Sequence, residues 1–411
     1  MKGRSSGGVF VTTYFSFKDA LMQAYTLPYV RLIRASVPEK FPVYLLSVEK
    51  KEDRLDAEEL KSTVARLKSE GIDWVRLPYY RFGPALMLWI PSLLRLAGLI
   101  RRTGIGSIHA WCLPGGIIGY FLSVLTGRLL VLDSFEPHAE VMSETGTWSR
   151  YGIKFKVFFS LEKKMARRAG IHILCTEDMA DYSERKYGIR PQRTYLKPSC
   201  VDLARFDISR RKNPELLSRL GLQKKIVAVY AGKFGGLYLT EEVFELCKAA
   251  YDRWGDRFRL LLLSREPESN IRRWSEKAGL PSSAIIQLFV PHAEVADYIG
   301  LGDFGLAPYA PVPSRKHAAP IKVSEYWALG LPVIITSGIA DDSEMIRTHG
   351  AGSVIGRPDK EEYARCIRET AALIEDNGTV KTYERIRPLA EKYRNFDIAR
   401  SVYRSIYGND R

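Results

Sequence analysis

The sequence predicts an α/β protein of two Rossmann-like domains facing across a cleft, and three observations lead there. At 411 residues the chain is longer than one hydrophobic core usually supports, so two cores are expected. Short apolar runs alternate with stretches of helical spacing, twice over, which is the pattern of parallel strands joined by crossover helices. A charged, proline-marked tract separates the two series.

The first series of strand-like runs is Val9–Thr13, Pro42–Ser47, Trp74–Leu77, Leu129–Leu132 and His172–Cys175. The second is Ile226–Tyr230, Arg259–Leu263, Ile285–Leu288, Phe304–Ala307 and Val333–Thr336. Between them Lys197-Pro198-Ser199, Val201-Asp202 and Ser209 to Pro214 read as a linker, giving domains over residues 1–207 and 208–391. Open parallel sheets bind ligands outside the carboxyl ends of their strands, so two such domains facing each other would hold two substrates in one cleft. The run from Asn395 to Tyr407 has helical apolar spacing.

Composition narrows the function classes. The 62 Lys and Arg against 47 Asp and Glu give a net charge of +15, suited to polyanions, acidic membrane surfaces or phosphorylated small molecules. Basic and apolar residues mix in Arg95–Arg102 and Lys154–Phe159, as in helices that rest on an anionic bilayer. No RNP-like motif, zinc knuckle or helix-turn-helix signature supports nucleic-acid binding. The five cysteines are scattered without zinc-type spacing, which suits a reducing compartment, and no metal is predicted. Asp341-Asp342 reads as a pair of helix caps before Ser343, not a metal clamp. Val9-Phe10-Val11 follows the N-terminus without the apolar run of a signal peptide, and Gly115 to Leu132 reads as a helix followed by a buried strand. The expected location is cytoplasmic, with a peripheral station at the inner membrane face left open.

Two segments carry chemistry. From Ala318 to Thr336 a short helix feeds a buried strand, with Pro320 suited to the first helical position and Gly330 to the C-terminal stop. The free N–H groups at such a helix start attract anions, and Lys322 in the first turn is misplaced unless an anion sits there too. Glu325, five residues beyond Pro320, lies about 7.5 Å along the axis, the reach from a diphosphate to a ribose diol whose two hydroxyls a carboxylate can accept. The second segment, Val229 to Tyr238, is a strand entering a glycine turn, where Gly235 and Gly236 let backbone approach a ligand and Lys233 can neutralise phosphate. It is neither a Walker loop nor a GxGxxG.

Together these residues resemble the retaining glycosyltransferases of the GT-B fold, family 4 type. The likeness covers nearly the whole chain in the family's order: Phe17–Gln23, Leu132–Glu136, Pro198–Phe206, the Gly232–Gly236 turn, Gly302–Tyr309 and Pro320–Pro332. It implies that the terminal segment, 392–411, crosses back onto the N-terminal acceptor-binding domain. It also implies that Glu325 binds the ribose and Lys233 the diphosphate, with Arg265 and His292 lining the nucleotide pocket. Two positions depart from the family. His317 stands where many members have a second, sugar-binding glutamate, and Tyr238 stands where a second basic residue is common, so that Lys322 is a candidate for the missing charge.

On the acceptor side Asp133, Glu136 and His138 cluster after the strand ending at Leu132, and one of them is expected to take the acceptor's proton, with His109 and Asp19 as lesser candidates. The implied function is transfer of a sugar from a UDP- or GDP-type donor to a saccharide or lipid-linked acceptor in surface-polysaccharide assembly, with no cofactor. The alternatives are a sugar-nucleotide epimerase of the same fold and a non-catalytic nucleotide-sugar-binding protein.

Overall fold

The computed structural model describes residues 7–80, 87–317 and 319–408. Met1–Ser6 of the N-terminal tract and Ala318 of the helix–strand motif lie outside them. The chain divides into two compact units, residues 1–139, 151–198 and 397–411 forming the first and residues 140–150 and 199–396 the second.

The first unit holds a seven-stranded parallel sheet of β1 (Gly8–Thr12), β2 (Val43–Glu49), β3 (Ile72–Pro78), β4 (Ile105–Trp111), β5 (Leu129–Phe135), β6 (Ile171–Leu174) and β7 (Thr194–Leu196). Their order is β3-β2-β1-β4-β5-β6-β7. The second unit holds β8 (Ile226–Ala231), β9 (Phe258–Leu263), β10 (Ile285–Leu288), β11 (Phe304–Ala307), β12 (Val333–Thr336) and β13 (Gly352–Ile355), in the order β10-β9-β8-β11-β12-β13. Both orders reverse beside the first strand, as in a doubly wound Rossmann-like domain. Alternate residues go to opposite faces of the second sheet: Val227 and Val229 pack with Trp327, Ala228 and Tyr230 with Phe244.

Every strand read from the sequence is present. Three more, β4, β7 and β13, were not read, because β4 carries Gly106, Ser107 and His109 among its apolar residues, β7 is three residues long and β13 opens on Gly352. The Gly115–Leu132 stretch divides into the helix Cys112–Thr126 and β5. No helix among the described residues is long and apolar enough to cross a membrane.

The unit boundary falls at Pro198/Ser199, nine residues before the one the linker composition suggested. Ser199 Oγ donates to the Ala319 carbonyl at 2.7 Å, the Val201 N–H to the Arg394 carbonyl at 2.7 Å, and Val201 and Phe206 join the second unit's core. Nor is the charged tract loose. Arg211 donates to the carbonyls of Leu329 and Gly302 at 2.6 and 3.2 Å, and Lys212 pairs with Asp303 at 2.7 Å. Asp342 also departs from its expected capping role: it is buried and paired with Arg394 at 2.5 Å.

The helix Phe396–Tyr407 returns the chain to the first unit. Ala399, Val402, Tyr403, Ile406 and Tyr407 are buried, a stripe at three- and four-residue spacing, so one apolar face of the helix is committed to that unit's core.

Candidate functional site

In the second unit the sheet order reverses between β8 and β11, the place where doubly wound sheets bind ligands. Beyond Ala231, β8 enters the glycine turn; beyond Ala307, β11 reaches Tyr309, which bridges Tyr238 in antiparallel fashion. The helix Ile321–Ala328 is tied to this point by Tyr326, whose hydroxyl lies 3.3 Å from the carbonyls of Val229 and Leu306. Pro320 is its N-cap and not, as expected, its first helical residue. Gly330 ends the motif at φ +66, where a Cβ would stand 2.4 Å from the Tyr383 backbone, so no other residue fits.

Lys322 joins the two sequence segments. The helix's second residue is 6% exposed, and its side chain runs to the glycine turn, where a Cβ on Gly232 would stand 3.2 Å from its Nζ. The rings of Tyr238, Tyr230 and Tyr309 surround the ammonium at 4.0, 4.5 and 5.2 Å to their centroids. No hydrogen-bond partner among the described residues reaches Nζ. Burial pushes Lys322 down to about 7, against the pull of Glu325 and with the push of Arg315.

Glu325 lies one turn further along the same helix, also buried. Burial pushes its carboxyl up to about 7, opposed by Arg205 and then Lys322. Arg205 in turn orients His292: its Nη1 donates to His292 Nδ1 at 3.1 Å and its Nη2 to the His292 carbonyl. Burial and then Arg205 lower His292 to about 4, so the ring stays neutral with its proton on Nε2, a buried nitrogen without a partner among the described residues. Such a donor suits a heterocyclic acceptor atom.

The other donor-side residues fall around this cluster. Lys233 is exposed on the turn, and Gly235 and Gly236 adopt φ of +73 and +61, turning consecutive backbone groups to one side. Arg265 is exposed after β9, its guanidinium 3.8 Å from the centroid of Phe289. His317 is buried at the end of the 3-10 turn Pro313–His317. Arg315 on the same turn is 5% exposed and lies over Tyr309 at 4.7 Å. Arg205, Arg315 and the tyrosine cage were not singled out as site residues from the sequence. Arg205 lies in the Pro198–Phe206 stretch that carries the family likeness, and that was its only signal.

In the first unit the expected acceptor-side cluster separates. Asp133 is 1% exposed, with Lys197 3.1 Å from one oxygen and His109 and the Tyr403 hydroxyl 3.0 and 2.7 Å from the other. Burial alone would raise its pKa, yet Lys197 and His109 hold the carboxyl well below the usual range. An enclosed carboxylate so engaged has no access to a substrate proton, which corrects the expectation for Asp133, and for His109, whose Nδ1 is engaged by Tyr407 at 2.7 Å. The strand bends here: Ser134 takes φ +52 and the β5–β6 register shifts. Glu136 and His138, beyond the bend, are half-buried, with Oε1 and Nδ1 3.8 Å apart. Among the described residues no group of three or more His, Cys, Asp and Glu is placed to hold a metal ion.

Two family models match the chain: a glycosyl transferase 4-like domain over residues 30–199 and glycosyl transferases group 1 over residues 226–372. The chain belongs to the group 1, family 4 type glycosyltransferases. No curated protein matches this glycosyltransferase in sequence. Among solved structures it is similar to sucrose-phosphate synthase from Thermosynechococcus elongatus, with TM-score 0.72, 13% identity and coverage of 98% of this chain and 99% of that one. Similar too is HepE from Anabaena in complex with UDP-glucose, with TM-score 0.71, 12% identity and coverage of 97% and 99%. WaaG, a glycosyltransferase involved in lipopolysaccharide biosynthesis, gives TM-score 0.71, 14% identity and coverage of 98% and 100%. At these identities the likeness is one of fold, the GT-B fold of two Rossmann-like domains.

Proposed function

We propose that this glycosyltransferase moves a sugar, with retention and without a metal, from a UDP- or GDP-type donor to a lipid-linked or saccharide acceptor of surface polysaccharide. The observation that carries the reading is the buried pair of Glu325 and Lys322 against the Gly232 turn at the switch point of the second sheet. Glu325 accepts the ribose hydroxyls, Lys322 and Lys233 meet the diphosphate, and His292 Nε2 and Arg265 face the base. As the glycosidic bond breaks, charge collects on the leaving diphosphate, where fixed cations act most strongly. The departing diphosphate assists removal of the acceptor proton, with His138 or Glu136 as the protein's own base.

Support for a membrane-borne acceptor comes from the first unit. The helices Trp89–Arg102 and Ile153–Arg168 are tied to the helix Cys112–Thr126 between them by Arg101 to the Leu125 carbonyl and Arg168 to the Ser123 carbonyl. Ile90, Leu94, Val124, Ile153 and Val157 are exposed on these helices, beside exposed Arg95, Arg102, Lys154 and Lys156. Apolar side chains flanked by cations suit an anionic bilayer surface.

The test is a transfer assay with UDP-, GDP- and ADP-sugars and polyprenyl-linked or free saccharide acceptors, with the product anomer read by NMR. One donor consumed only with acceptor, giving a retained anomer without added metal, is the expected result. Donor turnover without acceptor would point to an epimerase, and no turnover of any donor would end the transferase reading.

A further inference from the structure

A lysine buried with no anion and no hydrogen-bond acceptor is an unstable arrangement unless something else stabilises it. For Lys322 that is the ring cage, with Tyr238 closest at 4.0 Å. With Lys322 protonated its cluster also carries surplus positive charge: Lys322, Arg315 and Arg205 stand against Glu325 and Asp202, an excess of one, Asp297 beside Arg205 being paired with Arg210 at 2.9 Å. Asp342, the other carboxylate near Arg315, is committed to Arg394. A diphosphate ester, which carries two negative charges, would offset that surplus. Nζ lies against Gly232, where a Cβ would stand 3.2 Å from it, so the missing side chain leaves the ammonium room at the turn.

We propose that Lys322 is the principal diphosphate ligand, held in reserve by the tyrosine cage, and that Tyr238 is a positioning residue whose ring shelters the ammonium until the anion arrives. The claim deepens the donor reading above and rests on it for the identity of the natural anion. Its consequence is specific: a lysine at 238, starting from the ring that now touches Nζ, places an ammonium at the same point from the loop side. Charge at that point, and not the identity of residue 322, is what the anion requires.

The experiment is calorimetric titration with inorganic pyrophosphate, UDP and GDP, and with uridine and guanosine, of the wild type, K322M and the double variant Y238K/K322M. Thermal unfolding of each protein reports folding separately. Methionine fills the cage without charge, so K322M should fold with an unchanged or higher Tm. It should lose about ten- to a hundredfold in affinity for pyrophosphate and the diphosphates, the range of one hydrogen bond to a charged group. Nucleoside affinity should stay unchanged, and Y238K/K322M should recover most of the loss. K322M with wild-type pyrophosphate affinity, or a double variant that folds but recovers nothing, would overturn the proposal. Wild type that binds pyrophosphate but neither diphosphate would sink the donor reading and leave the Lys322 site standing.

Discussion

Two buried lysines, one in each unit, are held in cages of three aromatic rings. Lys197 lies 4.0 Å from the centroid of Tyr29 and 5.4 Å from those of Tyr25 and Trp111. Lys322 sits at matching distances among Tyr238, Tyr230 and Tyr309. The difference is the carboxylate. Lys197 has Asp133 at 3.1 Å, both side chains fully enclosed, whereas no described residue hydrogen-bonds Lys322 Nζ. A buried charge whose partner is part of the chain is architecture, while one without a partner is a place kept for a ligand. The same chemistry anchors the terminal helix in one unit and, in the proposed function, serves the donor in the other.

The contrast breaks most sharply on stability. K197M strands Asp133 as an uncompensated charge and should cost about 3–5 kcal/mol in urea denaturation, whereas K322M should cost nothing or stabilise. Equal losses for both would erase the distinction. Next comes pH. Donor use needs Glu325 ionised and Lys322 charged; burial raises the first to about 7, so its ionisation fails below that, and lowers the second to about 7, so its charge fails above. The kcat/KM for donor should be bell-shaped with its maximum near 7, changing about tenfold per pH unit on each outer limb. E325Q should remove the acid limb and K322M the alkaline one. Unchanged limbs would assign the titrations elsewhere.

A smaller effect tests the anchor. Y403F removes the hydroxyl that donates to Asp133 at 2.7 Å and should cost about 1–2 kcal/mol of stability without altering donor affinity. Smallest is the surface effect: K154E/K156E should weaken sedimentation with phosphatidylglycerol vesicles by about 1 kcal/mol per lysine, with transfer to a soluble acceptor unchanged.

The sequence carried most of the fold because strands buried on both faces are continuous apolar runs, as Leu260–Leu263 is. It failed where that rule fails. β4 hides its strand character behind His109 and Ser107, which face the buried polar cluster and not water. Within the linker the division falls at its first residues because Val201 and Phe206 join the second unit's core, and the charges of Arg211 and Lys212 are spent on carbonyls and Asp303. At the candidate site, the placement of Glu325 and Lys322 on one short helix was legible from helix spacing and end signals. Their burial, the tyrosines around them and the enclosure of Asp133 depend on contacts between residues far apart in the chain, which no local pattern reports.

The account stands most directly on calorimetric titration of wild type and E325A with UDP- and GDP-sugars, alongside their unfolding curves. It predicts that the wild type binds one of these donors and that E325A, equally stable, binds it about a hundredfold more weakly, the loss of two hydroxyl bonds to a carboxylate. Wild-type affinity in a folded E325A, or no binding of any donor by the wild type, would contradict it.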